Sequence, residues 1–144
     1  MNTTKTILVS DDDAGLIDAT SMMLYMSGYE VISTPFGDSV PQLAKVLPHL
    51  IILEICMGQT DGREICKILK KDPFTKDVPV LMLSAQKDVE QSALEAGADH
   101  FLQKPFNMDV LLQTIDGLIQ SNHKIPSRSA ADWFGMLRAS LWLL

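Results

Sequence analysis

The sequence has few cysteines, no long apolar run and no signal-peptide pattern at its start. Cys56 and Cys66 are too far apart for a C-x-x-C pair, and no histidine lies at metal-ligand spacing from either, so a disulfide framework and a zinc site are both disfavoured. A membrane span would need about twenty consecutive apolar residues, and none of the apolar runs is that long. The first residues lead directly into an apolar strand without the regions of a leader peptide. These absences predict a cytoplasmic protein with reduced thiols and no membrane span.

Basic residues are outnumbered by acidic ones. The chain has 12 lysines and arginines against 18 aspartates and glutamates, which gives a net charge of -6. Because sequence-independent binding to nucleic acid depends on cations that neutralise phosphates, this balance predicts no direct nucleic-acid partner. A length of 144 residues, 47% of them hydrophobic, suits one globular domain with a short extension. We therefore expect a single domain that binds a protein partner or a small ligand.

Short apolar runs alternate along the chain with segments of helical periodicity. The apolar runs predict strands at residues 7–9, 29–33, 50–53, 78–83 and 100–102. Helical spacing, glycine stops and caps at Asp13 and Asn107 predict helices at 14–27, 36–47, 63–71, 88–96 and 107–120. This alternation is typical of an α/β protein with a doubly wound parallel sheet of five strands, covered by helices on both faces.

Polar side chains follow four of the predicted strands, at the point where each strand ends. Asp11 and Asp12 follow the first strand, Glu54 the third, Ser84 the fourth and Lys104 the fifth. In open parallel sheets the ligand crevice lies beyond the carboxyl ends of the strands, where the strand order reverses. Acidic, hydroxyl and amine groups are therefore expected to meet at one edge of the sheet.

In this order and at this spacing, the residues resemble the receiver domains of bacterial response regulators, over about residues 5–121. The matching positions are the acid pair Asp11 and Asp12, Asp61-Gly62 before the third helix, the hydroxyl of Ser84, the aromatic Phe101, and Lys104 with Pro105. The resemblance implies a flavodoxin-like (βα)5 fold with strand order 2-1-3-4-5. It also implies a signalling protein that is not an enzyme and that receives phosphoryl groups from a sensor histidine kinase or a phosphotransfer protein.

The resemblance implies a Mg²⁺ site built from acidic side chains. In the family, the residue at Asp12 and the acceptor carboxylate, here Glu54, bind the metal directly. Asp11 would act largely through water, and the backbone carbonyl of Cys56 would add a ligand. Physical chemistry agrees with this assignment, because neighbouring carboxylates repel each other and a hard divalent cation offsets that repulsion.

Ser84 and Lys104 are implied, again by resemblance, to neutralise the oxygens of the transferred phosphoryl group. Phosphoryl transfer needs such neutralisation and in-line positioning more than acid–base work. Ser84 and Phe101 are also implied as switch residues that alter the face formed by the fourth helix, the fifth strand and the fifth helix. That face, or the C-terminal helix, is expected to bind a downstream protein or a second copy of the chain. Phe101 itself is expected near the surface of the last strand.

Glu54 departs from the family at the phosphoacceptor position, where aspartate is usual; Asp61-Gly62 fixes the register. One extra methylene moves the carboxylate about 1.5 Å further out. Because a misplacement of about 1 Å costs an oriented reaction on the order of 10²-fold, ordinary phosphorylation is expected to be poor or absent. A natural receiver that works without phosphate and a deliberate replacement that imitates the phosphorylated state are both open.

Two other functions are compatible with the same fold. A phosphate-independent pseudo-receiver would serve as a docking or dimerisation module and would not need Mg²⁺. An acyl-phosphate or haloacid-type phosphatase would use a nucleophilic aspartate after the first strand, which Asp11 could mimic, but the separate cap element of that class is missing.

The C-terminal part of the sequence is expected to differ from the rest. Residues 1–121 are predicted to form the receiver domain, and residues 122–144 a linker followed by an apolar helix or a truncated tail. Because that helix is apolar over much of its circumference, we expect it to pack on its own domain or on a partner.

Overall fold

The protein is described by a computed structural model over residues 3–124. Its main strands are β1 Thr6–Ser10, β2 Glu30–Thr34, β3 Leu50–Glu54, β4 Val80–Ser84 and β5 His100–Gln103. Its helices are α1 Ala14–Met26, α2 Val40–Leu43, α3 Gly62–Lys71, α4 Glu90–Glu95 and α5 Met108–Lys124. A two-stranded antiparallel hairpin, Cys56–Met57 with Thr60–Asp61, lies between β3 and α3.

The five main strands form one parallel sheet in the order β2-β1-β3-β4-β5. This confirms the predicted α/β fold and its strand order 2-1-3-4-5. Because the chain moves outward from β1 first to one side and then to the other, the order reverses between β1 and β3. The carboxyl ends of these two central strands therefore border the crevice in which ligands of such sheets bind.

Apolar layers cover both faces of the sheet. Along β3, Ile51 and Leu53 lie in a layer shared with α2, α3 and α4, whereas Leu50 and Ile52 lie in a layer shared with α1 and α5. Successive side chains of a strand point to opposite faces. The uninterrupted apolar run in β3 is thus explained by burial on both sides.

The predicted second helix at residues 36–47 is wrong in its length and regularity. The structure has a 3₁₀ turn at Gly37–Ser39, only four α-helical residues in α2, and a second 3₁₀ turn at Ala44–Val46. Pro41 lies in the first turn of α2, where its missing N–H is tolerated, but it cannot donate to an earlier turn. Leu47 then adopts a left-handed conformation with φ 58°, which ends the helical segment.

The predicted caps of α1 and α5 are confirmed. The Asp13 carboxylate accepts a hydrogen bond from the backbone N–H of Leu16 at 3.1 Å, and the Asn107 side chain accepts one from Val110 N–H at 2.8 Å. Both side chains satisfy N–H groups that have no partner within the helix. Asp61 caps α3 in the same way.

Helix α5 continues to Lys124, past the predicted domain boundary at residue 121. The remainder of the predicted linker and the whole predicted apolar helix, at 125–144, lie outside the described residues. Within 3–124, the structure contains no helix with the length and apolar character needed to cross a membrane.

Candidate functional site

The predicted site residues meet at the carboxyl edge of the sheet. Parallel pairing sets Glu54, the last residue of β3, beside Leu83 of β4. The backbone N–H of Lys104 donates to the carbonyl of Ser84 at 2.8 Å, which holds the segment after β5 against the end of β4. Asp11 follows β1 directly. Four strand ends thus bring the predicted acid, hydroxyl and amine groups together.

A buried ion-pair triad, formed by Asp11, Glu54 and Lys104, occupies the centre of the site. The Lys104 Nζ atom lies 2.9 Å from Asp11 Oδ2 and 2.5 Å from Glu54 Oε1. The carboxylate side chains are only 4% and 6% exposed, and the lysine side chain is 19% exposed. Burial of the ammonium opposes its charge, but the hydrogen bonds to Glu54 and Asp11 outweigh this effect and raise the pKa of Lys104. The lysine is therefore charged at neutral pH and bridges two carboxylates.

The remaining oxygens of the triad are bound by backbone amides. Glu54 Oε2 accepts a hydrogen bond from the N–H of Cys56 at 3.1 Å, so the side chain folds back over its own loop. Asp11 Oδ1 accepts one from the N–H of Asp13 at 3.0 Å. All four carboxylate oxygens of Asp11 and Glu54 consequently have a donor.

The third acidic residue of the site is held apart from the triad. Asp12 Oδ2 accepts a hydrogen bond from the backbone N–H of Gly58 at 3.0 Å, across the loop that follows β3. The donor chemistry of the three acids suits Mg²⁺, which prefers oxygen ligands in an octahedron. The arrangement of the three acids does not suit Mg²⁺, because Lys104 contacts two of them. Residues 3–124 also contain no group of three or more acidic, histidine or cysteine side chains placed to hold a metal ion.

The two predicted switch residues are both buried. The Ser84 hydroxyl accepts a hydrogen bond from the N–H of Gln86 at 3.0 Å and so fixes the start of the loop after β4. Phe101 is 7% exposed and lies in the apolar layer of α2, α3 and α4. The expectation that Phe101 lies near the surface is wrong, because its ring points from β5 into that layer. The switch roles themselves stay predictions.

Cys56, whose carbonyl the resemblance makes a metal ligand, begins the hairpin after Glu54. Its side chain is exposed, whereas that of Cys66 is buried in the core. Desolvation, followed by the negative charges of Glu54 and Asp61, raises the pKa of the Cys56 thiol. The thiol is therefore not activated as a nucleophile, and the role of the carbonyl stays a prediction.

Arg63, which is not among the predicted site residues, connects the site loop to α4. Its guanidinium binds Asp61 through Nε at 2.9 Å and through Nη2 at 2.7 Å, while Nη1 donates to the hydroxyl of Ser92 at 2.9 Å. The side-chain hydrogen bonds from Arg63, partly opposed by burial, lower the pKa of Asp61. The spacing of Asp61 and Arg63 was visible in the sequence, but the contact with Ser92 depends on how α3 and α4 pack.

A comparison with known families agrees with this geometry. The profile of the response regulator receiver domain matches residues 7–116, and the chain belongs to this family. It is a receiver domain of the two-component signalling type. Receiver domains of this family generally bind Mg²⁺ at their phosphorylation site.

Curated relatives include longer regulators. The DNA-binding dual master transcriptional regulator RpaA of Synechocystis sp. is 36% identical over 123 residues, which cover 83% of this chain and 51% of that protein. The phosphate regulon transcriptional regulatory protein PhoB of Pseudomonas aeruginosa is 31% identical over 139 residues, which cover 92% of this chain and 59% of that protein. The chain thus spans about half the length of these relatives.

Solved structures show the same fold. A response regulator from Chloroflexus aurantiacus superposes with a TM-score of 0.77 at 32% identity, and the match covers 82% of this chain and 99% of that one. A CheY-like receiver domain protein from Methanospirillum hungatei superposes with a TM-score of 0.76 at 28% identity, and it covers 85% and 98% of the two chains.

These relatives contradict the expected absence of a nucleic-acid partner. RpaA is named as a DNA-binding regulator, and PhoB as a transcriptional one. The expectation rested on a net charge of -6, which describes only the residues of this chain. Because the matched parts cover only 51% and 59% of these relatives, the acidity of the receiver carries no information about their remaining residues.

Proposed function

We propose that this receiver domain carries Glu54 at its phosphoacceptor position and signals without being phosphorylated there. The observation that carries the proposal is the ion pair between Glu54 Oε1 and Lys104 Nζ at 2.5 Å. A charge-assisted contact is stronger than one between neutral groups, and this one involves a side chain that is only 6% exposed. It gives Glu54 a defined partner, the lysine that would otherwise neutralise a phosphoryl group.

The surroundings of Glu54 support the lack of phosphorylation. An acceptor carboxylate needs an oxygen aligned with the phosphorus, but the contact of Oε1 with Lys104 and that of Oε2 with the N–H of Cys56 fix the orientation of both oxygens. In-line attack would require the buried carboxylate to leave this orientation. The longer side chain also displaces the oxygen by about 1.5 Å, which adds to the misalignment.

The contact between Glu54 and Lys104 also supports an imitation of the phosphorylated state. Glu54 places a negative charge against Lys104, the lysine that the family resemblance assigns to the phosphoryl oxygens. In the family the switch aromatic turns inward on phosphorylation, and the aromatic at this position, Phe101, is buried. A carboxylate carries less charge and fewer acceptor oxygens than a phosphoryl group, so the bias toward the switched packing is partial.

The proposed output of this receiver is inferred from its relatives, and the proposed source of the phosphoryl group from its family. RpaA and PhoB are named as transcriptional regulators, and we extend that class of output to the signal that this receiver relays. A sensor histidine kinase would be the upstream partner of a version with aspartate at position 54.

The Mg²⁺ ligands are also part of the proposal. In the Glu54→Asp variant we assign the metal to Asp12, the carboxylate at position 54 and the carbonyl of Cys56, with Asp11 acting through water. The metal would supply positive charge for the phosphoryl oxygens, and Lys104 and Ser84 would hold the remaining oxygens. In the chain as it stands, Lys104 supplies the positive charge that faces Asp11 and Glu54.

A pseudo-receiver that serves only as a docking module is the second candidate. It is favoured by the closed triad, since every oxygen of Asp11 and Glu54 already has a donor. The two candidates differ in what restoring the acceptor does. A silenced receiver regains phosphorylation when Glu54 becomes aspartate, whereas a vestigial site does not.

Incubation with acetyl phosphate and Mg²⁺, followed by intact mass, tests the proposal on the chain and on Glu54→Asp. We expect the variant alone to gain the mass of one phosphoryl group. The double variant Glu54→Asp with Lys104→Met is the control, and it should gain far less because the charge on the phosphoryl oxygens is no longer neutralised. Phosphorylation of the unaltered chain at Glu54 would overturn the proposal, and absence of phosphorylation in both would favour the pseudo-receiver.

A further inference from the structure

We infer that the Lys104 ammonium is the resident cation of this site and that it makes the charge balance of the pocket independent of Mg²⁺. The inference rests on the proposed function only in assigning Glu54 to the acceptor position. It concerns the regulation of the site, because a receiver that needs no metal is insensitive to the metal that family members generally require.

The first step is geometric. Lys104 Nζ lies 2.9 Å from Asp11 Oδ2 and 2.5 Å from Glu54 Oε1, so the ammonium bridges the carboxylates at the ends of β1 and β3. A magnesium ion bound directly to Glu54 would require oxygen ligands at about 2.0–2.1 Å and the space around that oxygen. The ammonium and a directly bound metal would therefore repel each other and compete for Glu54 Oε1.

The second step concerns charge. The pocket has three acidic side chains and one ammonium, and the two most buried acids are those that contact the ammonium. Asp12 lies outside the triad and has the N–H of Gly58 as its donor. Repulsion between Asp11 and Glu54, which a divalent cation would otherwise offset, is thus already offset by a group of the protein.

The third step concerns the length of Glu54. The same side chain reaches Lys104 with one oxygen and the N–H of Cys56 with the other. An aspartate at this position would end about 1.5 Å earlier and could not hold both contacts without a movement of Lys104 or of the loop. Replacing Glu54 by aspartate should therefore loosen the triad and admit the metal.

The strength of Mg²⁺ binding, measured by isothermal titration calorimetry with magnesium chloride, tests the inference. Glu54→Asp is expected to bind Mg²⁺ about 10- to 100-fold more tightly than the unaltered chain, because a metal no longer has to break a hydrogen bond between charged groups. Lys104→Met, which removes the ammonium and keeps Glu54, is expected to bind more tightly by a similar factor.

Lys70→Met is the matched control. Lys70 also has a largely buried side chain in an ion pair, 2.9 Å from Asp99, but it lies at the end of α3, away from the triad. Its removal should leave the affinity for Mg²⁺ unchanged, with circular dichroism confirming that each variant is folded. Equal affinities in the unaltered chain, Glu54→Asp and Lys104→Met would overturn the inference.

The outcomes separate this inference from the proposed function. If Mg²⁺ binds the unaltered chain as tightly as Glu54→Asp, but only Glu54→Asp is phosphorylated, the inference fails and the proposed function stands. If the affinities differ as expected and neither form is phosphorylated, the proposed function fails and the lysine remains the resident cation.

Discussion

Removal of the Lys104 ammonium is expected to destabilise the fold strongly. In Lys104→Met, the apolar side chain would leave Asp11 and Glu54, which are 4% and 6% exposed, without their shared cation. Removal of one partner from a buried ion pair costs about 3–5 kcal/mol. Because the lysine side chain is 19% exposed, water can replace part of the lost contact. We therefore expect the free energy of unfolding to fall by about 3 kcal/mol, the lower end of that range.

The pH dependence of this loss follows from the charges. The pKa of Lys104 is raised in the folded protein, so its contribution is present below the ordinary pKa of lysine and is lost as the pH rises through the raised pKa. The deficit of Lys104→Met should therefore be largest below the ordinary pKa of lysine, and it should shrink as the pH rises through the raised pKa, where the unaltered chain loses the same charge.

Urea unfolding followed by far-ultraviolet circular dichroism measures the loss. Lys67→Met is the control, since its ion pair with Glu64 joins side chains that are 48% and 66% exposed, and such pairs contribute only about 0–1 kcal/mol. Adding Glu54→Gln to Lys104→Met should recover part of the loss, because a neutral amide replaces an unpaired charge and can still accept from the N–H of Cys56. A loss no larger than that of Lys67→Met, or no recovery in the double variant, would refute the reasoning.

Two further predictions concern the loop that follows β3. A Cβ atom at Gly62 would lie 2.2 Å from the backbone oxygen of Glu54, whereas one at Gly117 on α5 meets nothing within 4 Å. In urea unfolding, Gly62→Ala should therefore lower the free energy of unfolding by about 2 kcal/mol or more. Gly117→Ala should raise it by about 0.5–1 kcal/mol. Equal effects of the two alanines would contradict the close approach of α3 to Glu54. Arg63→Met should raise the pKa of Asp61 toward its ordinary value, because the hydrogen bonds from Arg63 lower it. A carboxyl whose pKa is lowered by folding loses its stabilising contribution as the pH falls, so the variant should lose less stability on acidification than the unaltered chain. Nuclear magnetic resonance titration of the side-chain carboxyl carbon measures this pKa, and an unchanged value would count against the contact.

The strands and the edge of the site could be predicted because their signals are local. The apolar run of β3 reflects burial on both faces, and parallel pairing then brings the ends of β1, β3 and β4 to one edge whatever the details of packing. The second helix was predicted as one regular element because apolar spacing continues through residues 36–47. Pro41 and the left-handed Leu47 break that regularity, and the cost of such local conformations is not visible in hydrophobic spacing.

The contacts within the site could be predicted only as far as proximity. That Lys104 lies near two carboxylates follows from the topology, but its distances to both depend on the rotamers of three side chains in a buried space. The link from Arg63 to Ser92 joins two helices that are separated in sequence and meet only through the packing of α3 and α4. Local patterns contain no information about such a contact.

Under the proposed function, the length of Glu54 connects the loss of phosphate acceptance with the loss of a need for metal. A glutamine of equal length could take the N–H of Cys56 but would leave Lys104 with Asp11 alone, so charge is needed for the triad. An aspartate would supply the charge but would not reach both donors at once, so reach is needed as well. Glutamate meets both requirements, and the same two contacts that complete the triad fix the orientation of the oxygens needed for phosphoryl transfer and set an ammonium against the oxygen that a cation would bind. Loss of phosphorylation and loss of the metal requirement are therefore expected together, as two consequences of one closed ion-pair triad.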